Sequence, residues 1–184
     1  MHFPEKTITL KDGRTCVLRP NGPDLAEQML KYLKKTAGET EFLLTYPDEV
    51  NYTLEGVTET LGRGLENPYN IMMAAIVDGK HAGNGRVYGI GAQRKYRHRC
   101  SLAIALYKEY WGLGIGTSMI NYLAELASSV GWTQLDLEVV ADNEQAQALY
   151  KKCGFIESGR RHNAMLFDDG TYHDEILMYR NLTK

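Results

Sequence analysis

Tyr110-Trp111-Gly112-Leu113-Gly114-Ile115-Gly116-Thr117 is the stretch on which the fold of this chain turns. Just upstream, Cys100 to Leu106 has the character of a short strand. Just downstream, Met119, Leu123, Leu126, Ala127 and Val130 recur on one helical face until Gly131 stops them. The glycines therefore join a strand to a helix. Three glycines at alternate positions let backbone come close to an anion, and a helix starting there offers unpaired N–H groups and its positive dipole end. That is a candidate pyrophosphate cradle; the plainer alternative is a turn whose glycines only let helix and strand pack.

Two other phosphate motifs fit poorly. A Walker A loop ends in Gly-Lys-Ser or Gly-Lys-Thr, and Gly116-Thr117 has no lysine between its members. The dinucleotide fingerprint is nearer, since Asp136 follows at about 20 residues. It fails because Thr117 stands at its third glycine, and too few strand–helix pairs remain downstream for a doubly wound sheet.

Working outward, Thr7–Leu10 and Thr15–Arg19 alternate around Lys11-Asp12-Gly13-Arg14 and predict an opening hairpin. Asp24 precedes a run in which Leu25, Met29, Leu33 and Thr36 keep helical spacing until Ala37-Gly38. A second helix is expected over 54–65, ended by Gly64, Asn67 and Pro68. Strands follow at 71–77 and 83–89, separated by Asp78-Gly79, and then the strand 100–106. Beyond the glycine turn and its helix, 135–140 alternates as a strand and Ala146, Leu149, Tyr150 and Cys153 line a last helix stopped by Gly154. Two strands, 155–166 and 172–180, flank Asp168-Asp169-Gly170. The order is mixed α/β, with no repeat or linker to divide it.

Composition narrows the function. The 184 residues carry 21 Lys and Arg against 23 Asp and Glu, a net charge of -2, which gives no general reason to seek nucleic acid or an anionic membrane. No apolar run approaches the ~20 residues of a membrane span, and the first residues lack a signal peptide's apolar segment, so a cytoplasmic protein is expected. Cys16, Cys100 and Cys153 are odd in number and widely spaced, which predicts neither a disulfide framework nor a metal site.

A second motif accompanies the glycines: Asn143-x-x-Ala146-x-x-Leu149-Tyr150-x-x-x-Gly154-Phe155. Together the two resemble the GCN5-related N-acetyltransferase (GNAT) family. Its signature is Arg or Gln, two residues, Gly, one residue, then Gly or Ala, and its later motif matches this one without a gap. Trp111 departs from the pattern, standing where Arg or Gln is more usual. The resemblance is sharp over 101–155, looser through Gly170-x-Tyr172-x-Asp174-x-x-x-Met178, and only topological before Ile71. It implies one acetyltransferase domain over 1–184, built on a central twisted, mixed and mostly antiparallel sheet flanked by helices. A V-shaped splay is implied between the fourth and fifth main strands, those ending at Leu106 and running over 135–140.

The resemblance further implies acetyl-coenzyme A as co-substrate and no metal. Gly112, Leu113, Gly114, Ile115, Gly116 and Thr117 would take the pyrophosphate. Backbone groups of Ile104, Ala105 and Leu106 would take the pantetheine arm, and Asn143 would contact it unless it only caps a helix. The acceptor would be a primary amine, a small amine or amino acid before a protein N-terminus or lysine, acetylated directly. A homodimer is a further possibility, and a non-catalytic acyl-coenzyme A sensor is the rival from another class.

An alkyl ammonium has a pKa of about 10.4, so at pH 7 generating the neutral nucleophile costs roughly 4 to 5 kcal/mol and a base is required. In Leu135-Asp136-Leu137-Glu138-Val139 the apolar residues share one strand face, leaving Asp136 and Glu138 on the other. Some protein N-terminal members of the family carry Glu and Tyr at the separation of Glu138 and Tyr150, which favours Glu138, acting directly or through water, with Tyr150 as acid toward the leaving thiolate. Cys153 is expected to pack rather than react. The cluster Arg94-Lys95-Tyr96-Arg97-His98-Arg99 is either a solvated strand entrance or an anion contact for the coenzyme's 3'-phosphate or a substrate carboxylate. His98, His173 and Asp174 are weaker candidates. Phe42, Leu43 and Tyr46 are expected either to wall the acceptor pocket or to pack in the core.

Overall fold

The computed structural model describes residues 1–182. In chain order it contains β1 (Lys6–Thr9), β2 (Thr15–Pro20), α1 (Ala26–Glu39), α2 (Leu54–Glu66), β3 (Asn70–Val77) and β4 (Lys80–Gly89). These are followed by β5 (Arg99–Leu106), α3 (Ile115–Ser129), β6 (Gln134–Val140), α4 (Glu144–Lys152), β7 (Ile156–Leu166) and β8 (Tyr172–Asn181). The strands form one sheet in the order β1-β2-β3-β4-β5-β6-β8-β7. Every neighbouring pair is antiparallel except β5 and β6. The expected mixed, mostly antiparallel sheet flanked by helices is present.

The period of two in each strand divides the apolar residues between two faces. On one, α3 buries Met119, Ile120 and Leu123 against a core that includes Leu135, Leu137 and Val139 of β6. A fully buried side chain of this size contributes roughly 1.5–3 kcal/mol, so α3 is held by its apolar stripe rather than by helix propensity. On the other face, Ala26, Met29 and Tyr32 of α1 meet Val57 and Leu61 of α2 over Met72 of β3. No helix among the described residues is long and apolar enough to cross a membrane.

Several boundaries differ from the sequence expectation. Helix α1 runs through Gly38 to Glu39, and Asp24 does not cap it: its carboxylate pairs with Arg19 Nη2 at 2.8 Å. Gly64 is also inside its helix, buried against Met72, where a Cβ would stand 2.7 Å from the sulfur. At Gly64 tertiary contact overrides a local stop signal, whereas Gly38 is exposed and its helix ends one residue beyond it. Strand β4 begins at Lys80 rather than 83, because Asp78 (φ 50°) and Gly79 (φ 72°) make a two-residue turn that pairs Val77 directly with Lys80. Phe155 lies before β7 and is buried.

Candidate functional site

Strands β5 and β6 pair only at Arg99↔Gln134, Cys100↔Leu135 and Ser101↔Asp136. Beyond Ser101, β5 keeps only β4 as a partner, while β6 beyond Asp136 keeps only β8. The sheet therefore opens into the V expected between these strands. Tyr107 N–H donates to Ala82 O at 3.0 Å, and the alternation of strand backbone groups then turns Ala105 toward β4 and Ile104 and Leu106 toward the opening. The Ala105 carbonyl also accepts from Tyr32 Oη at 2.8 Å. Of the three residues expected to line the arm, the structure turns the backbone of two to the opening and of Ala105 away from it.

At the mouth of the opening lies the glycine turn. Gly112 (φ 76°) and Gly114 (φ 95°) occupy left-handed conformations that other residues resist, and beyond the adjoining residues no described atom lies within 4 Å of where their Cβ would be. No side chain caps α3, and its ladder starts with Ser118 N–H to Gly114 O at 3.2 Å, so the amides of Ile115, Gly116 and Thr117 precede it. Fifteen aligned residues put the positive dipole end behind these amides, with no acidic residue in the first turn. This is the donor set and the open space that a pyrophosphate requires. Trp111, which replaces the family's usual Arg or Gln, donates from Nε1 to Leu106 O at 2.9 Å.

Helix α4 packs across this turn: a Cβ on Gly116 would stand 3.1 Å from Leu149 Cδ2. Asn143 caps α4, accepting the Ala146 N–H on Oδ1 at 3.0 Å. Tyr150 sits against the α3-side core with its ring edge on Phe155, centroids 5.9 Å apart. Burial pushes its hydroxyl up to about 12, so the phenol stays protonated across the working pH range. Cys153 is buried and its thiol is raised by desolvation, consistent with packing rather than nucleophilic chemistry.

Glu138 and Asp136 share the opposite sheet face, as the alternation predicts, but differ in commitment. Asp136 is held by Arg99 Nε at 2.9 Å and Gln134 Nε2 at 2.7 Å, at the closed end of the V. Glu138 lies further along β6, half exposed, with Oε1 accepting from Arg161 Nη2 at 3.0 Å. Glu138 thus belongs to one sheet face, and Tyr150 packs against the core on the other.

Phe42, Leu43 and Tyr46 line a cleft of about 520 Å³ that also touches Lys108 and Trp111. A second recess of about 320 Å³, bordered by Asp142 and Asn143, meets it at Phe42 and Trp111. Tyr46 Oη accepts from Asp168 N–H at 3.0 Å, tying this wall to the β7–β8 turn. The basic cluster is elsewhere: Arg94 to His98 lie in the exposed loop before β5, at the end of an eight-residue strand opposite the glycine turn, about 25 Å away by strand rise. The cluster is thus remote from the glycine turn, and Arg99, its last member, is paired with Asp136. His173 joins Asp142, Nδ1 to Oδ2 at 2.6 Å, beside the second recess, whereas Asp174 is spent on Arg160 at 2.6 Å and His162 at 3.0 Å. Arg161, Glu175 and the Asp142–His173 pair escaped the sequence reading, since their partners are 14 to 31 residues away and only strand register brings them together.

Residues 26–155 match the Acetyltransferase (GNAT) family, and the chain belongs to it. A Bacillus subtilis protein provisionally named a [ribosomal protein bS18]-alanine N-acetyltransferase is 32% identical over 99 residues, 54% of this chain and 62% of that protein. This chain spans between about half and two thirds of the length of the curated relatives it matches. Among solved structures, a GNAT-family acetyltransferase from Streptococcus pneumoniae superposes with a TM-score of 0.85 at 25% identity, covering 91% of this chain and 99% of that one. A Salmonella typhimurium protein solved with acetyl-CoA shares the fold, with a TM-score of 0.80 at 11% identity, covering 92% of this chain and 95% of that one.

Proposed function

We propose that this protein is an acetyl-coenzyme A-dependent N-acetyltransferase that moves the acetyl group directly to a primary amine. The observation that carries the reading is the loss of β5–β6 pairing after Ser101 and Asp136, with the uncapped start of α3 at the mouth of the gap. Amides of 112–117 would hold the diphosphate, Ile104 and Leu106 would pair with the arm as an added strand, and the thioester supplies the acyl group. Asn143, whose Oδ1 is engaged in the cap, would reach the arm with its amide nitrogen.

Glu138 then takes the ammonium proton, directly or through a water, from the α1 side of the sheet. From the other side Tyr150, protonated and desolvated, hydrogen-bonds the sulfur and supplies its proton as the thiolate leaves. A small amine or amino acid is the first choice of acceptor, taken in the cleft beside Phe42 and Tyr46. A protein N-terminus is second, favoured by the name of the Bacillus relative and by the open cleft.

Thiol release from acetyl-CoA, measured with lysine, alaninamide, tyramine and an alanine-leading peptide, tests the reading. Amine-dependent release that E138Q lowers about 100-fold is expected. Tight acetyl-CoA binding without release by any amine would leave a sensor of acyl-coenzyme A in place of an enzyme.

A further inference from the structure

Arg161 stands on β7 directly opposite Glu175 of β8, and Glu175 is two register positions from Glu138 of β6 on the same sheet face. The arginine reaches across β8: Nη1 pairs with Glu175 and Nη2 with Glu138 Oε1 at 3.0 Å. The two carboxylates differ in environment. Glu175 keeps 10% of its side chain exposed, so its charge needs a fixed partner, whereas Glu138 is 51% exposed and has no other described hydrogen bond. The guanidinium is thus anchored at its buried end, and its planar fork sets the angle at which the second nitrogen meets Glu138.

We propose that Arg161 is a positioning residue for the acceptor's proton transfer: seated on Glu175, it holds Glu138 Oε1 so that Oε2 faces the opening between β5 and β6. The inference rests on the reading of Glu138 as the base. An exposed glutamate has three side-chain torsions to order, and a carboxylate swinging freely over the sheet face spends little time where an ammonium emerges from the gap. The clamp removes that freedom and leaves one lone-pair-bearing oxygen for the substrate. The proton accepted on Oε2 passes to solvent at the exposed face, so Arg161 itself exchanges none.

Steady-state rates with acetyl-CoA and whichever panel amine releases thiol fastest test this. R161M should lower kcat about 10- to 100-fold, with the acetyl-CoA KM within about twofold. R161K should recover part of the loss, since an ammonium keeps charge without the fork. E138Q/R161M should be no slower than E138Q, because Arg161 acts only through that carboxylate. Should R161M melt early from the stranded Glu175 charge, R161M/E175Q removes both and is read in its place. A kcat within twofold of the wild type in a folded R161M, or a double variant slower than E138Q by the full factor seen in R161M, overturns the positioning role while leaving Glu138 as base. Full turnover by E138Q overturns the base and the clamp together.

Discussion

Trp111 closes the end of β5 onto the turn that follows it, its indole N–H donating to the carbonyl of Leu106 at 2.9 Å. The same residue borders both recesses of the cleft, so one side chain ties the strand end to the glycine turn and to the wall the two recesses share. A W111F substitution keeps an aromatic ring and removes this bond, worth about 1 kcal/mol net. The KM for acetyl-CoA should rise about fivefold, with kcat within about twofold. An unchanged KM in initial-rate measurements would show that the bond does not set the opening.

Tyr150 is held protonated by burial, with its hydroxyl raised to about 12. Below pH 10 the wild type should therefore show no alkaline fall in kcat from this residue. Y150F should lower kcat about 100-fold while acetyl-CoA affinity, measured by calorimetry, changes less than about threefold. Equal losses of affinity and rate would make Tyr150 a packing residue of α4.

His81 is buried beside Tyr32, ring centroids 4.9 Å apart, with neither ring nitrogen hydrogen-bonded among the described residues. Desolvation lowers its pKa to about 4. The unfolded chain then binds more protons between about pH 6.5 and pH 4, so stability falls as pH drops through that window. The loss is about 2 kcal/mol by pH 5, or a Tm lower by about 4–8 °C than at pH 7. H81F should show a smaller fall by that amount in thermal melts at the two pH values; parallel melting curves would refute the assignment.

Gly83 of β4 lies opposite Leu106. A Cβ there would stand 2.1 Å from Leu106 Cδ2, 2.8 Å from Ala105 O and 3.1 Å from Leu106 Cα. The carbonyl and Cα belong to backbone and cannot rotate aside, so G83A must push the end of β5 toward the opening. A stability loss of about 1–3 kcal/mol is expected, with a Tm lower by about 3–10 °C and weaker acetyl-CoA binding. A variant that melts and binds like the wild type would mean that β4 yields instead.

By itself the sequence determined the order of strands and helices, and with the family resemblance the class of sheet they build. Two-residue alternation and helical spacing are local properties, and the glycines at 112 and 114 take backbone conformations that other residues resist, so the strands, the helices and the tight turn between β5 and α3 were legible in the sequence. The Leu135 to Val139 alternation likewise separated Asp136 and Glu138 from the core face, but chemistry alone left both as bases. Register decided between their surroundings: Arg99 opposite Gln134 commits Asp136 at the closed end, and Arg161 opposite Glu175 reaches Glu138 at the open end. The run-through of Gly64 and the turning of Ala105 away from the gap were equally matters of tertiary contact. The ion pairs of Asp136 and Glu138 join residues distant in the chain through strands whose relative shift no local pattern encodes, and a shift of one residue would have turned one partner of each pair to the other face.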